Sequence, residues 1–148
     1  MNLEPRIKYP ELAPKPFKAL LALSAAVESG TLGRRLVDLV FLRVSQINGC
    51  AFCIDMHWSD LVKQGEDSRR LNAVAGWREA PFFDARERAA LRWAEIVTSI
   101  PHRDPSDEDF AETRKNFTEA EVAELGFAIV TINAWNRLNV SSRTPVPQ

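Results

Sequence analysis

Apolar residues recur at helical spacing along almost the whole chain. Leu20, Leu21, Leu23, Ala26 and Val27 mark a first helix over Phe17 to Ser29, with Gly30 as its expected left-handed cap. Leu32 to Asn48 forms the next; Leu36, Val37, Leu39, Val40, Leu42 and Val44 cover most of its circumference, so it should be buried on most sides. Asn48-Gly49 reads as a helix end rather than a hairpin, because the flanks lack two-residue alternation. A third helix runs from Cys50 to Gln64, Gly65 ends it, and Asp67 or Ser68 opens a short fourth reaching Ala75. Capping-box spacing then recurs at Asp84/Glu87, Ser106/Asp109 and Thr118/Glu121. These open helices over Ala85–Ile100, from Ser106 to about Phe117, and from Thr118 to about Val140. Between Leu125 and Trp135 the last helix is apolar on nearly every side, as a central core helix or one in a subunit interface would be.

Six of the nine prolines, Pro5, Pro10, Pro14, Pro16, Pro145 and Pro147, lie at the ends, leaving the middle free for helices. Pro81, Pro101 and Pro105 fall where periodicity is interrupted. No segment reads as a strand. The expectation is an all-α protein of about seven helices in a single domain, 1–148, without internal repeats.

Composition narrows the function. The formal charge of −1 gives no electrostatic footprint for nucleic acid. Apolar runs are too short to span a membrane, and residues 1–16 lack the apolar stretch of a secretory signal. Two cysteines are too few for a disulfide scaffold, so the expected location is the cytoplasm, where thiols stay reduced.

Both cysteines and one of the two histidines nevertheless fall within eight positions, Cys50-Ala51-Phe52-Cys53-Ile54-Asp55-Met56-His57. On a helix, Cys50, Cys53 and His57 lie at about 0°, 300° and 340°, on one face. Cysteines one turn apart at a helix start suit dithiol redox chemistry, since free N–H groups and the helix dipole favour a thiolate. His57 is about 6 Å along the axis from Cys53 and about 10.5 Å from Cys50, and helical side chains lean toward the N-terminus. That favours Cys53 as the attacking sulfur. The dipole favours Cys50, which lies nearer the N-terminus, but the nearby histidine is the stronger influence.

Other readings stand beside this one. A zinc site would need Cys50, Cys53 and His57 to be joined by His102, and two cysteines can simply be core residues. A thioredoxin fold is disfavoured because its motif follows a strand.

The stretch Leu42-Arg43-Val44-Ser45-Gln46-Ile47-Asn48-Gly49-Cys50 leading into CxxCxxxH resembles the core motif of AhpD-like alkylhydroperoxidases, within the carboxymuconolactone decarboxylase family. Ala75 to Phe83 resembles that family's middle segment, and Ile132-Asn133-Ala134-Trp135-Asn136-Arg137-Leu138 its last-helix motif. The resemblance implies an all-α fold in a homo-oligomer, a trimer or hexamer. It also implies reduction of organic hydroperoxides through a cysteine pair, needing no metal, flavin or haem. The oxidised pair would be regenerated by a thiol reductant, a dihydrolipoyl protein being the family precedent. The family places a glutamate twelve positions before the first cysteine, where this chain has Asp38, one methylene shorter. Some members have a histidine before the second cysteine, where this chain has Phe52. The implied site is Cys53, Cys50, His57 and Asp38. Asp38 could equally be an exposed helix residue near Arg34 or Arg35, or the ion-pair partner of Arg43.

Phe52, Met56 and Trp58 are candidates for an apolar entrance, although such residues more often pack in cores or interfaces. Trp135, Asn136 and Arg137 read as packing and buried hydrogen bonding, Arg103 to Lys115 as a solvated helix with its approach, and His102 as surface. A redox-sensing interaction protein without turnover is the alternative from another class. A lactone decarboxylase ranks below it, because that reaction needs no vicinal dithiol.

Overall fold

A computed structural model describes residues 4–148. Eight α-helices run in the order α1 (Tyr9–Leu12), α2 (Pro14–Glu28), α3 (Arg34–Asn48), α4 (Ala51–Lys63), α5 (Ser68–Asn72), α6 (Ala85–Thr98), α7 (Asp107–Arg114) and α8 (Glu119–Ser142). A 3-10 turn, Val74–Gly76, follows α5, and no strand occurs among the described residues. The helix beyond the expected seven is α1, a single turn with Pro10 in its first positions, where the missing N–H costs nothing. For the same reason α2 starts at Pro14, three residues before its apolar periodicity does. The fourth predicted helix is shorter than expected, ending at Asn72 before the 3-10 turn.

All three capping boxes form, with Asp84, Ser106 and Thr118 each accepting the N–H three residues on. Gly49 ends α3 in the left-handed conformation at φ 66°. Gly30 is not the left-handed cap expected of it; positive φ falls instead on Gly33, Gly49 and Gly65.

The fold is organised around α3, which is buried on opposite faces. Val37, Val40, Phe41 and Val44 pack with Ala90, Trp93 and Ala94 of α6 and with Leu125, Ile129 and Ile132 of α8. Turned about half a circle away, Leu39 and Leu42 join Leu61, Leu71, Val74, Trp77, Phe83 and Leu91 in a second cluster. The last helix is less uniformly buried than its composition suggests. Leu125, Ala128, Ile129 and Ile132 are inaccessible, whereas Phe127 and Val130 are 59% and 57% exposed.

Two polar assignments change. Arg43 pairs with Glu95 at 2.9 Å, and Glu95 also accepts from Trp77 Nε1 and Arg78. The charged stretch 103–115 is partly internal: Asp109 is buried against Arg92 and Arg103, and Thr113 is buried beside it. Among the described residues, no helix is long and apolar enough to cross a membrane.

Candidate functional site

The left-handed turn at Gly49 reverses the chain between α3 and α4 and makes Cys50 the N-cap of α4 rather than a residue of its first turn. In that position the Cys50 sulfur accepts the Cys53 N–H at 3.4 Å, as a capping oxygen would. The two free thiols lie Sγ to Sγ at 2.7 Å, and both are buried, Cys50 2% and Cys53 0% exposed. Cys50 is therefore hardly more accessible than its neighbour.

A second element closes on this pair. Asn139 of α8 donates Nδ2–H to Cys53 Sγ at 3.4 Å, while its Oδ1 accepts from the Tyr9 hydroxyl at 3.0 Å. One turn earlier, Asn136 accepts from Asn48 and donates to Ser45, joining α8 to the end of α3. Burial raises the Cys53 thiol, yet it is held down at about 6, first by the Cys50 hydrogen bond and then by Asn139, Asn136 and the charge of His57. Cys50 moves the other way, because its proton is held by Cys53 and its sulfur is desolvated. The pair thus contains one acidic and one basic thiol. Its strongest acidifying contact is the partner thiol, not the histidine that sequence spacing favours.

His57 lies edge-on to Phe41, with ring centroids 5.0 Å apart. Both its ring nitrogens are buried without a hydrogen-bond partner, and Nδ1 stands 3.6 Å from Asp38 Oδ1. Asp38 is neither exposed nor paired with Arg43. It is fully buried, and its Oδ2 accepts from Gln64 at 2.6 Å and Arg34 Nε at 3.0 Å. Burial raises its carboxyl, but His57, Gln64 and Arg34 together outweigh that and lower it, so the group beside His57 is a carboxylate.

The zinc set considered from sequence is not assembled, and His102 lies exposed in the connection after α6. Among the described residues, Asp38, His57 and Asp60 form a trio able to hold a metal. A cation already serves its two acids, since Arg34 lies 3.0 Å from Asp38 and 3.8 Å from Asp60.

Beside the thiols a half-open pocket of about 600 Å³ reaches His57 and Asn139. Its apolar walls include Phe17, Leu21, Phe41, Phe52, Met56 and Trp135, and Tyr9 borders it. Of the three aromatic and methionine candidates, Phe52 and Met56 line this space and Trp58 does not. Trp135 packs edge-on against Phe17 and donates to Ser24 at 2.7 Å. The N-terminal segment closes one side, tied down by Arg6, whose backbone N–H donates to Ser142 and whose side chain donates to Ser141. Neither sulfur lines the pocket.

Sequence reasoning missed Asn139 and Tyr9. Asn139 left a signal, since Ile129, Ile132, Asn136 and Asn139 continue one buried stripe, and an amide on such a stripe needs a buried partner. Tyr9 left none.

The carboxymuconolactone decarboxylase family profile matches residues 14–95. The uncharacterized protein YdfG of Bacillus subtilis (strain 168) is 37% identical over 136 residues, covering 92% of each chain. Among solved structures, an Agrobacterium tumefaciens protein of unknown function, described in terms of the antioxidant defence protein AhpD, superimposes with TM-score 0.94 at 39% identity, over 98% of this chain and 99% of that one. A peroxidase-related protein from Ralstonia eutropha JMP134, described as an alkylhydroperoxidase AhpD core, shares the fold with TM-score 0.83 at 21% identity, over 94% of this chain and 74% of that one.

Proposed function

The chain belongs to the carboxymuconolactone decarboxylase family, as an AhpD-like member, and within it we propose that this protein is a dithiol peroxidase that reduces organic hydroperoxides. The observation that carries the proposal is the unequal thiol pair: an acidified Cys53 in contact with a protonated Cys50, next to an apolar pocket.

In this reading the Cys53 thiolate attacks the distal oxygen of ROOH. An S–O bond forms, the O–O bond breaks, and the alkoxide leaves as ROH with a proton drawn from the His57 side of the site. His57 is the proton carrier, and the Asp38 carboxylate 3.6 Å away stabilises its cationic form. Attack removes the charge on Cys53 that holds the Cys50 proton. Cys50 can then ionise and displace hydroxide from the sulfenic acid, which leaves as water while the S–S bond forms. A thiol reductant, a dihydrolipoyl protein by family precedent, returns two electrons and two protons. The sum is ROOH plus two thiols giving ROH, water and one disulfide. Because both sulfurs are buried, each turnover requires side chains between pocket and thiols to move aside.

The pocket favours this reading over a redox sensor, because a sensor oxidised by a small peroxide has no need of about 600 Å³ of apolar space. A steady-state assay with cumene hydroperoxide and dithiothreitol tests it. Cys53→Ser should abolish both turnover and the first oxidation. Cys50→Ser should abolish turnover yet allow one equivalent of peroxide to form a dimedone-trappable sulfenic acid. Turnover that survives replacement of both cysteines refutes the proposal, and one stoichiometric oxidation of wild type without turnover establishes the sensor.

A further inference from the structure

The pocket's charged groups limit what can enter it. Among the described residues its lining includes one arginine and one lysine, each paired with an acid, while the His57 imidazole stands at the thiol end beside Asp38. Arg34 is shared among three acids, Glu28 at 3.3 Å, Asp38 at 3.0 Å and Asp60 at 3.8 Å, while Lys8 faces Glu11 at 3.9 Å. Glu28, Asp60 and Glu11 also border the same space, so acids outnumber the lysine and arginine around it. Burial is the main cause that raises the Glu28 carboxyl; Arg34 and His57 oppose it, while Asp38 and Asp60 add to it. A carboxylate or phosphate on a bound molecule would lose its hydration, find no unpaired lysine or arginine and meet like charge.

The inner end has a different character. Beyond the apolar walls, His57 and Asn139 supply polar atoms next to Cys53, where a hydroperoxide group must arrive. A single polar terminus on a sizeable hydrocarbon matches this arrangement. The volume, about 600 Å³, lies within the range for ligands of drug size, and a four-carbon hydroperoxide would leave most of the apolar wall uncovered.

We propose that this pocket selects bulky, uncharged hydroperoxides and rejects those of similar size that carry an acidic group. The proposal rests on the peroxidase reading and adds a substrate class to it. Each methylene newly buried in the transition state is worth about fourfold in kcat/KM, so skeleton size should be felt over several carbons.

The test compares four substrates with wild-type protein and dithiothreitol at pH 7: tert-butyl hydroperoxide, cumene hydroperoxide, cumene hydroperoxide with a para carboxylate, and the methyl ester of that acid. Cumene hydroperoxide should exceed tert-butyl hydroperoxide at least tenfold in kcat/KM, and the ester should exceed the acid at least tenfold. Met56→Lys, which adds a cation to the pocket lining, should narrow the ester-to-acid ratio severalfold. Equal kcat/KM for ester and acid, or for the small and large alkyl substrates, overturns the selectivity. Absence of turnover with all four refutes the peroxidase reading instead. In that event the pocket is judged by tryptophan fluorescence titration with 2-phenyl-2-propanol and its para-carboxylate: tighter binding of the neutral alcohol upholds the charge selection, and equal binding rejects it.

Discussion

The Asn139 amide donates to the Cys53 sulfur at 3.4 Å, linking α8 to the first turn of α4. An amide can present either end to a neighbour. Here the Tyr9 hydroxyl, donating to Asn139 Oδ1 at 3.0 Å, fixes the end that faces the sulfur as a donor. The N-terminal segment that borders the pocket is therefore coupled to the ionisation of the thiol.

Tyr9→Phe keeps the ring but releases the amide. The Cys53 thiol should become less acidic, and its alkylation by iodoacetamide at pH 6 should slow about threefold to tenfold, the worth of one modest hydrogen bond. Asn139→Ala should do more, because it removes the donor itself. Above pH 9 both variants should match wild type. A Tyr9→Phe profile superimposable on wild type at every pH would remove Tyr9 from the site's electrostatics.

Alkylation of Cys53 should rise with pH through about 6 and level off near neutrality, since lowering a thiol's pKa makes the thiolate available above the new value. Because the Cys50 hydrogen bond is the largest acidifying contact, Cys50→Ser should keep the midpoint low, whereas Cys50→Ala should move it toward the ordinary thiol value of about 8.5. His57→Ala should shift it less than Cys50→Ala. Thiolate absorbance near 240 nm across the same pH range checks the order independently.

Asp38→Asn should lower peroxide turnover by weakening the stabilisation of protonated His57, and should cost about 1–3 kcal/mol of stability from the charged hydrogen bond to Arg34. Oδ1 stands 3.6 Å from His57 Nδ1, just short of a hydrogen bond, and a longer carboxylate would have to displace its neighbours at this fully buried position to close that gap. Asp38→Glu should therefore not improve activity. It adds a methylene at a fully buried position, and a loss of about 1–3 kcal/mol by denaturant unfolding is expected.

The two sides of α8 should respond differently. Ile132→Ala, at an inaccessible position, should destabilise the fold by about 2–5 kcal/mol. Phe127 and Val130 face outward, and Phe127→Arg with Val130→Arg should leave helicity unchanged. If that face carries the expected homo-oligomeric contact, light scattering should show the double variant at lower mass than wild type. A wild-type mass equal to the monomer would end the oligomer expectation.

Much of this protein is legible locally. Helix starts at Asp84, Ser106 and Thr118, the stop at Gly49 and the shared face of Cys53 and His57 all follow from groups three or four residues apart, where helix geometry converts sequence spacing into distance. The same local logic fails where the chain leaves the helix, so Cys50 proves to be a cap whose sulfur faces Cys53 instead of a first-turn residue. Tertiary structure decided what spacing could not encode. Asp38 is turned from a possible surface residue into a buried carboxylate by the packing of α3 against α4, which brings it to Gln64 and His57. Asn139 meets a sulfur 86 positions away, and Tyr9 meets Asn139 across 130. At such separations the distance between two side chains depends on how helices cross, and the acidity of Cys53 and the shape of the pocket depend on those crossings with it.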